Sequence, residues 1–430
     1  MKKELAVLLV GCMVAGLAGC GSRESMSGSA KDLTEVIGKQ EDSRTTEDTE
    51  KKEVSSERKE EYADSYDDLA VTLLQEVYKK GENAMISPLS ILTALTMTEN
   101  GASGNTLEQM QQVLADGMDV EMQDQILKDY ILEFTGREKA KLDMANSIWL
   151  KETDHLHVDE AFLQKNRDYF GAEVFKAPFD DRTLKDINSW VSDKTEKKIP
   201  EILDKIEDDA VLYLINAVAF DAKWENPYED YDLMEREFTE ENGTVTNMTM
   251  MYSEEELYLE DENTTGFIRP YEDGYQFVAM LPSEGMTMEE YLSQLNGEKF
   301  KKLIDGATDA YTVYAGVPKF SSEYTVELKD VLEHLGMTDA FDEEKADFSK
   351  MATSDQGNLS IDMVLHKTFI EVDEQGTKAA AATVVGVAET ASLIVDEVKE
   401  VYLNRPFVYA IVDEESHLPV FFGVTEKISE

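Results

Sequence analysis

Apolar positions follow a helical spacing early in the chain and a strand-like spacing later. The run YADSYDDLAVTLLQEVYKK at residues 62–80 places apolar residues three or four apart, which predicts an amphipathic helix. Short runs that alternate or are continuously apolar predict strands. These runs lie at residues 211–220, 275–282, 311–320, 366–372, 406–412 and 419–424. Helices that cluster early and strands that cluster late predict an α+β fold rather than a βαβ repeat.

Local signals mark the ends of two further helices. Ser87 followed by Pro88 predicts a helix start, because serine caps free N–H groups and proline fits the first helical turn. Gly101 is expected to end that helix. Thr106 and Gln109 form a capping-box pattern, which predicts that the next helix begins at Thr106.

The N-terminal part of the chain is predicted to lie outside the folded domain. Two lysines precede an apolar run that ends in LAGC at residues 17–20, which is typical of a secretory signal and resembles a bacterial lipobox. That resemblance implies removal of residues 1–19 and lipidation of Cys20, while an ordinary signal peptide that contains a cysteine is the alternative. Residues 20–61 are then the lipidated cysteine and a polar, disordered tether with a span of roughly 35 Å.

The charge of the chain excludes some classes of partner. The formal net charge of the 430 residues is −49. Like charges repel at range, so this balance disfavours binding to nucleic acid or to anionic lipid. Hydrophobic residues make up 42% of the chain, which is enough for a large core. Nothing in the composition indicates a substrate.

No motif in the sequence predicts catalysis, a metal or a cofactor. His155 and His157 do not have the spacing of a zinc-binding helix, and the exported domain keeps no free cysteine that could join them. There is no GxSxG turn, and GASGNT at residues 101–106 lacks the lysine of a phosphate loop. The acidic run at residues 253–263 lacks calcium-loop spacing and indicates a solvated face. A triad assembled only in space stays open, because triads are defined by geometry.

Six blocks of sequence resemble the serpin family and occur in serpin order. They are NAMISPLSILTALTMTENGASGNT (83–106), ANSIWL (145–150), LINAVAFDAKWENPY (214–228), VPKFSSEYTVELKDVLEHLGMTDAFD (317–342), VLHKTFIEVDEQGTKAAAAT (364–383) and NRPFVYAI (404–411). The resemblance covers residues 62–430 and implies a serpin domain with three β-sheets, about eight or nine helices and an exposed reactive-centre loop at about 374–400. One departure is Lys197, because serpins usually have glycine at this helix-end turn.

The resemblance makes the segment that starts at Glu374 the hinge of the reactive-centre loop. In serpins a protease cleaves this loop, which then inserts into sheet A as a new strand. A strand alternates faces, and the inward hinge residues are small or β-branched and uncharged, whereas Lys378 falls on the outward face. A plain alanine-rich helix or linker is the alternative. The hinge residues are Glu374, Gly376, Thr377, Ala379, Ala381 and Thr383.

Family spacing places the scissile bond near the fourteenth residue after Gly376, between Thr390 and Ala391. Glu389 and Ser392 are the neighbouring candidates. The segment AETAS at residues 388–392 has small side chains and no Arg, Lys or aromatic residue. Trypsin-like pockets take a cation and chymotrypsin-like pockets take a ring, so an elastase-like or subtilisin-like serine protease fits better.

Two further clusters follow only from the resemblance. The shutter is a polar cluster beneath sheet A, at the place where strands part, and its members here are Ser87, Ser90, Asn216 and His366. For His366 alone, an ordinary core histidine is the alternative. The breach is the place where the loop first enters, and its members here are Trp224, Lys319 and Glu374. Lys319 and Glu374 are expected to pair.

The sequence therefore predicts a protease inhibitor that acts as a suicide substrate, not an enzyme. It is predicted to be a monomer without cofactor or metal, exported and held on the outer side of a bacterial membrane by its lipid. Its partner would be a serine protease, or alternatively a cysteine protease, held covalently. One alternative is a non-inhibitory serpin that serves as a carrier or chaperone, which charged or bulky inward hinge residues would favour. A second is a lipid-anchored solute-binding protein, which should show two βαβ-rich lobes.

Overall fold

The computed structural model describes residues 28–34, 54–207, 209–355, 357–377 and 397–428. Nine α-helices lie within these residues: α1 (Ser56–Val77), α2 (Pro88–Glu99), α3 (Gly104–Ala115), α4 (Val120–Thr135), α5 (Glu160–Phe170), α6 (Asp181–Lys194), α7 (Met288–Gln294), α8 (Gly297–Asp305) and α9 (Lys329–His334). Several predicted site residues lie outside the described residues. They are Cys20, Ala379, Ala381, Thr383, Glu389, Thr390, Ala391 and Ser392.

The described strands form three main sheets. Sheet A has the order β1 (Lys31–Asp32), β5 (Glu173–Ala177), β3 (Lys141–Lys151), β6 (Leu212–Lys223), β16 (Gly376–Thr377), β15 (Met363–Val372) and β13 (Phe320–Glu327). Sheet B has the order β2 (Ala84–Ile86), β19 (Pro419–Thr425), β18 (Phe407–Asp413), β11 (Tyr275–Pro282), β10 (Thr264–Pro270) and β9 (Leu257–Glu260). Sheet C has the order β17 (Glu397–Tyr402), β12 (Tyr311–Pro318), β8 (Val245–Glu255) and β7 (Leu233–Thr239). The predicted α+β class is confirmed, and β14 (Ala352–Ser354) with β4 (Leu156–Val158) adds a small two-stranded pair.

Strands β6 and β15 of sheet A pair directly over only part of their length. Seven residue pairs, from Met363 opposite Tyr213 to Phe369 opposite Ala219, form a parallel ladder. Beyond this ladder β16 lies between the two strands and is antiparallel to both. We call the β6–β15 ladder the seam of sheet A. The seam is therefore already open at one end.

Sheet A is covered on both faces because the residues of β6 alternate between two hydrophobic clusters. Leu214 and Val218 belong to the cluster that contains α2, whose twelve residues are all buried. Tyr213 and Ile215 belong to the cluster that contains α6. Helix α2 is the helix predicted from the serine–proline start signal. Among the described residues, no helix has the length and apolar run that crossing a membrane would need.

The predicted start of α3 at Thr106 is wrong. The helix begins at Gly104, and Ser103 is its N-cap. Thr106 Oγ1 instead accepts a hydrogen bond from the Asp347 N–H at 3.0 Å, and Gln109 Oε1 accepts one from the Asp339 N–H at 2.8 Å. Both side chains therefore bind a neighbouring segment rather than their own helix end.

Part of the predicted tether is ordered against the domain. Strand β1 pairs antiparallel with β5 and forms one edge of sheet A. The Ala30 N–H donates to Asp186 Oδ2 on α6 at 3.2 Å, and the Leu33 N–H donates to the Val174 carbonyl at 2.9 Å. Helix α1 begins at Ser56, ahead of the predicted domain start at residue 62. Amino-acid composition could not predict strand β1, because a strand of two residues forms only where it can pair with a neighbouring strand, here β5.

The departure at Lys197 leaves a strained backbone at the end of α6. Glu196 and Lys197 have φ values of +50° and +67°, in the left-handed region that favours glycine. We expect Lys197→Gly to raise the free energy of unfolding by about 1 kcal/mol, because glycine adopts this conformation without the steric cost of a Cβ. Chemical denaturation would measure the change.

A matched control lies on the same helix. Lys185 is exposed in the interior of α6, so Lys185→Gly should lower the free energy of unfolding by about 1 kcal/mol through the helix propensity of glycine. Equal effects of the two substitutions would show that the turn at Lys197 carries no strain.

Candidate functional site

A tight turn joins β15 to β16 and reverses the chain. Asp373 Oδ1 accepts hydrogen bonds from the N–H groups of Gln375 at 2.8 Å and Gly376 at 3.1 Å, and the Asp373 N–H donates to the Gly376 carbonyl at 2.8 Å. Gly376 has φ +149°, and a Cβ added there would lie 2.1 Å from the Ala222 carbonyl oxygen. Only glycine fits this approach of two backbones, which explains the residue that opens the hinge.

Thr377 is the first hinge side chain to enter sheet A. It lies opposite Ala222 of β6 and Val372 of β15, and it is fully buried. Its hydroxyl shares a hydrogen bond of 2.7 Å with the Tyr271 hydroxyl. The β-branched side chain thus points inward and its one polar atom has a partner, as a buried hydroxyl requires.

Trp224 supports the turn from the end of β6. Its indole Nε1–H donates to the Asp373 carbonyl at 2.9 Å, and its backbone N–H donates to the Gln375 carbonyl at 3.0 Å. The indole stacks on Tyr271 with ring centroids 4.2 Å apart. Trp224 and Tyr271 therefore form one aromatic support beneath both the turn and Thr377.

Lys319 and Glu374 form an ion pair at the outer side of the turn. The hydrogen bond from Lys319 holds the pKa of Glu374 below its usual range. Both side chains are about one-third exposed, so solvent screens the pair and its contribution to stability is ~0–1 kcal/mol. The pair orients the turn, and the backbone bonds to Trp224 hold it.

The shutter residues meet at one level of the seam. Asn216 of β6 lies opposite Asn146 of β3 on one side and opposite His366 of β15 on the other. The Asn216 side-chain amide donates to the Ser90 carbonyl at 2.7 Å and also to the Ser90 hydroxyl and Asn146 Oδ1. The cluster therefore connects three strands of sheet A to helix α2.

His366 is fixed in one neutral tautomer. The Ser87 backbone N–H can only donate, and it lies 3.0 Å from His366 Nε2. Nε2 is therefore the acceptor, and Nδ1 carries the proton that is donated to Asn216 Oδ1 across the seam. Among the described residues, the Ser87 hydroxyl has no hydrogen-bond partner. Ser87 thus contributes through its backbone.

Burial of His366 makes stability depend on pH. Burial lowers the pKa of His366 from 6.5 to about 3. Between these values the unfolded chain binds a proton that the native chain does not, so the free energy of unfolding should fall as pH drops from 6.5 towards 3. The slope attributable to His366 should approach about 1.4 kcal/mol per pH unit.

Urea denaturation of wild type and His366→Gln at pH 7, 5 and 4 would measure this slope. Other titrating groups contribute to both proteins, so the difference between the two curves isolates His366. The variant should lose less stability on acidification. Parallel curves would contradict the assignment.

Three residues of the site were missed at the sequence level. Asn146 lies within ANSIWL, and its place opposite Asn216 depends on the register of β3 with β6. Asp373 directly precedes Glu374, and an aspartate two residues before a turn N–H is a recognisable turn signal. Tyr271 follows β10, far from the hinge in sequence, and nothing local indicates its contact with Thr377.

No metal centre is evident in the parts of the chain that the structure describes, since no group of three or more His, Cys, Asp or Glu is arranged to hold an ion there. The site instead consists of a strand seam, a seated hinge and hydrogen bonds that cross the seam.

Residues 64–428 match one protein family, described as serpin (serine protease inhibitor). The chain belongs to the serpin family. Serpin B10 of Sorex araneus is 30% identical over 376 residues, which cover 80% of this chain and 93% of that protein. Tengpin, a thermophilic serpin, has a native-state structure with 43% identity and a TM-score of 0.84, covering 93% of this chain and 100% of that one. Its latent-state structure has 42% identity and a TM-score of 0.76, covering 88% and 100%.

Membership of the serpin family confirms the predicted fold, which is not the pair of βαβ-rich lobes expected for the solute-binding alternative. The family description is that of an inhibitor of serine proteases, not of an enzyme. The residues predicted around the scissile bond, 389–392, lie outside the described residues.

Proposed function

We propose that this serpin inhibits proteases as a suicide substrate. The observation that carries the proposal is β16: Gly376 and Thr377 already form a strand that is antiparallel to both β6 and β15 at the open end of the seam. A loop that continues from Thr377 in the same direction would enter the seam and part the two strands. The hinge is therefore positioned to start insertion.

The register of β16 predicts where later hinge residues would lie. Thr383 is six residues after Thr377 and would lie opposite the residue six before Ala222 in β6 and six before Val372 in β15. Those residues are Asn216 and His366. If both registers continued through the loop, Thr383 would reach the shutter, where its hydroxyl could replace the bond that joins Asn216 to His366. Ala379 and Ala381 would precede it on the same inward face.

The chemistry of inhibition would be supplied by the protease. Its serine Oγ attacks the carbonyl carbon of Thr390, the C–N bond to Ala391 breaks, and the proton reaches the new amino group of Ala391. An ester between the serine and Thr390 remains. Insertion of the loop before water attacks this ester would trap the enzyme as a covalent adduct.

The proposed targets are elastase-like or subtilisin-like serine proteases, since the side chains around Thr390 are small. Thr390→Arg should shift inhibition towards trypsin, because the buried carboxylate of a trypsin pocket then gains a cation. The rate constant for trypsin should rise by at least about 100-fold, while that for elastase falls. Mass spectrometry of the fragment released from each adduct would locate the bond, and cleavage outside residues 389–392 would contradict the assignment.

Incubation with a panel of serine proteases tests the proposal, with each mixture resolved on a denaturing gel. We expect a stable adduct of serpin plus protease with elastase or subtilisin, and none with the same proteases after their catalytic serine is replaced by alanine. Cleavage of the chain by every protease without any adduct would contradict inhibition. That result would favour the non-inhibitory carrier or chaperone function instead.

We also propose that Cys20 carries lipid and holds the inhibitor on the outer side of a bacterial membrane, since it follows a lipobox-like tripeptide. Expressed in a bacterium, the wild type should fractionate with membranes, and Cys20→Ala should be released or remain unprocessed. Wild type found wholly in the medium at its mature length would contradict lipidation.

A further inference from the structure

A cleft of about 620 Å³ lies beside the chain that follows β6. The rest of its lining comes from the end of β8, the turn into β9 and the adjoining ends of β10 and β11. Pockets that hold small molecules measure about 300–1,000 Å³, so the cleft has room for such a ligand. We call it the acidic cleft, and the carboxylates in its lining are Glu225, Asp232, Glu254, Glu255, Glu256 and Glu414.

Acidic residues are concentrated in this lining beyond the composition of the chain. Six of the sixteen lining residues are Asp or Glu, compared with 90 of all 430 residues. Among the described residues that line the cleft, Arg269 is the only cation, and it pairs with the buried Glu255. The acidic cleft therefore carries a net negative charge of its own.

The charge of Arg269 is not available to the other carboxylates. Its guanidinium donates to Glu255 and to the Asn226 carbonyl, and it lies over the Tyr228 ring, 4.0 Å from the ring centroid. Within the described part of the chain, the other five carboxylates of the lining form no ion pair. A cation that enters the acidic cleft would therefore meet carboxylates that have no competing partner.

A buried amide oxygen is a second feature of the acidic cleft. Gln276, at the start of β11, is part of the lining and is only 8% exposed. Its Oε1 accepts no hydrogen bond from the described residues. An unmet buried acceptor is unfavourable, so a donor group bound in the cleft gains more from this oxygen than from a solvated one. Gln276 is neutral, so this feature is independent of the acidity of the chain.

The arrangement of these groups indicates an extended cation. A metal ion needs several ligands around one point, and no group of three or more His, Cys, Asp or Glu is so arranged in the described ranges. The carboxylates instead come from separate elements, and the lining also includes the apolar Pro227, Leu257 and Pro270. A methylene chain that carries several ammonium groups matches both features, because its stem packs on apolar side chains while its charged groups reach separate carboxylates.

We propose that the acidic cleft binds an aliphatic diamine or polyamine. One ammonium group donates to Gln276 Oε1, and the others pair with exposed carboxylates of the lining such as Glu225 and Glu254. The inference concerns binding alone, so it does not depend on the proposed inhibitory function.

Isothermal titration calorimetry with spermidine tests the proposal, at about 0.15 M salt so that long-range attraction to the acidic chain is screened. We expect saturable binding of a single spermidine. Glu225→Gln/Glu254→Gln should weaken binding about tenfold, because two ion pairs are lost. Gln276→Met keeps the length of the side chain but removes the acceptor, so it should weaken binding severalfold. Its melting temperature should equal or exceed that of wild type.

Glu108→Gln/Glu152→Gln is the matched control. It changes the net charge equally, and it removes two exposed carboxylates that lie elsewhere, on α3 and directly after β3. This variant should bind spermidine as tightly as wild type does. Equal weakening by the two double variants would show that spermidine responds only to net charge, which would overturn the site.

Three further results would also overturn the inference. The first is the absence of saturable binding by wild type. The second is an unchanged affinity of Gln276→Met, because the buried oxygen would then make no contact with the ligand. The third is tighter binding of Mg²⁺ or of a tetralysine peptide than of spermidine, which would assign the acidic cleft to a metal ion or to a basic protein segment.

Discussion

The chain cleaved between Thr390 and Ala391 is expected to melt far above the intact chain. Insertion would exchange the seven-pair parallel ladder of the seam for two antiparallel ladders, one with β6 and one with β15. Antiparallel pairing is slightly stronger per residue, and each added hydrogen bond contributes about 1 kcal/mol. With on the order of ten added bonds, the melting temperature should rise by on the order of 10 °C or more.

Thermal melts followed by circular dichroism, on intact protein and on nicked protein freed of the enzyme, would measure this rise. Intact protein incubated with the inactive protease is the control for handling and for bound enzyme. A midpoint for the nicked chain that equals or falls below that of the intact chain would show that its loop does not insert.

Thr383→Arg is expected to turn the inhibitor into an ordinary substrate. If the loop inserted in the register of β16, this position would lie between Asn216 and His366, both of which are buried. An unpaired guanidinium in this place costs several kcal/mol, and each 1.4 kcal/mol slows insertion about tenfold. Water should then reach the acyl-enzyme first. The readout is the ratio of adduct to cleaved serpin on a denaturing gel.

Ala380→Arg provides the matched control. In the same register its side chain would lie three residues earlier, on the outward face, opposite Phe369 of β15, which is only partly buried, and Ala219 of β6. This variant should retain most of its adduct. Equal yields of adduct from Thr383→Arg and wild type would refute the inward position of Thr383, whereas equal losses in both variants would show that parity does not matter.

The fold was predictable from sequence because its signals are either local or carried by recognisable blocks. The early helical spacing of residues 62–80 and the late apolar strands were sufficient for the α+β class. The boundary at Thr106 was not predictable, since its hydroxyl binds Asp347, about 240 residues away. A capping pattern describes which bonds a side chain can make, and tertiary structure decides which one it makes.

The candidate site was also only partly predictable from sequence. Gly376 could be identified from the hinge motif, but its physical reason is the approach of the Ala222 carbonyl, which belongs to another strand. Asn146 and Tyr271 complete the shutter and the hinge support through register and packing, so no spacing in the chain reveals them. Asn216 and His366 could be named because the family motif carries them, whereas the places of Asn146 and Tyr271 depend on register and packing.

Strand β1 bears on the orientation of the molecule at a membrane. The proposed lipid on Cys20 is eight residues from Gly28, the first described residue, and eight residues reach at most about 28 Å. Because β1 pairs with β5, these eight linker residues would join the lipid to one edge of sheet A. The anchored inhibitor would then stand on the cell with the β1 edge of sheet A towards the bilayer, so that every copy presents the same side to an approaching enzyme.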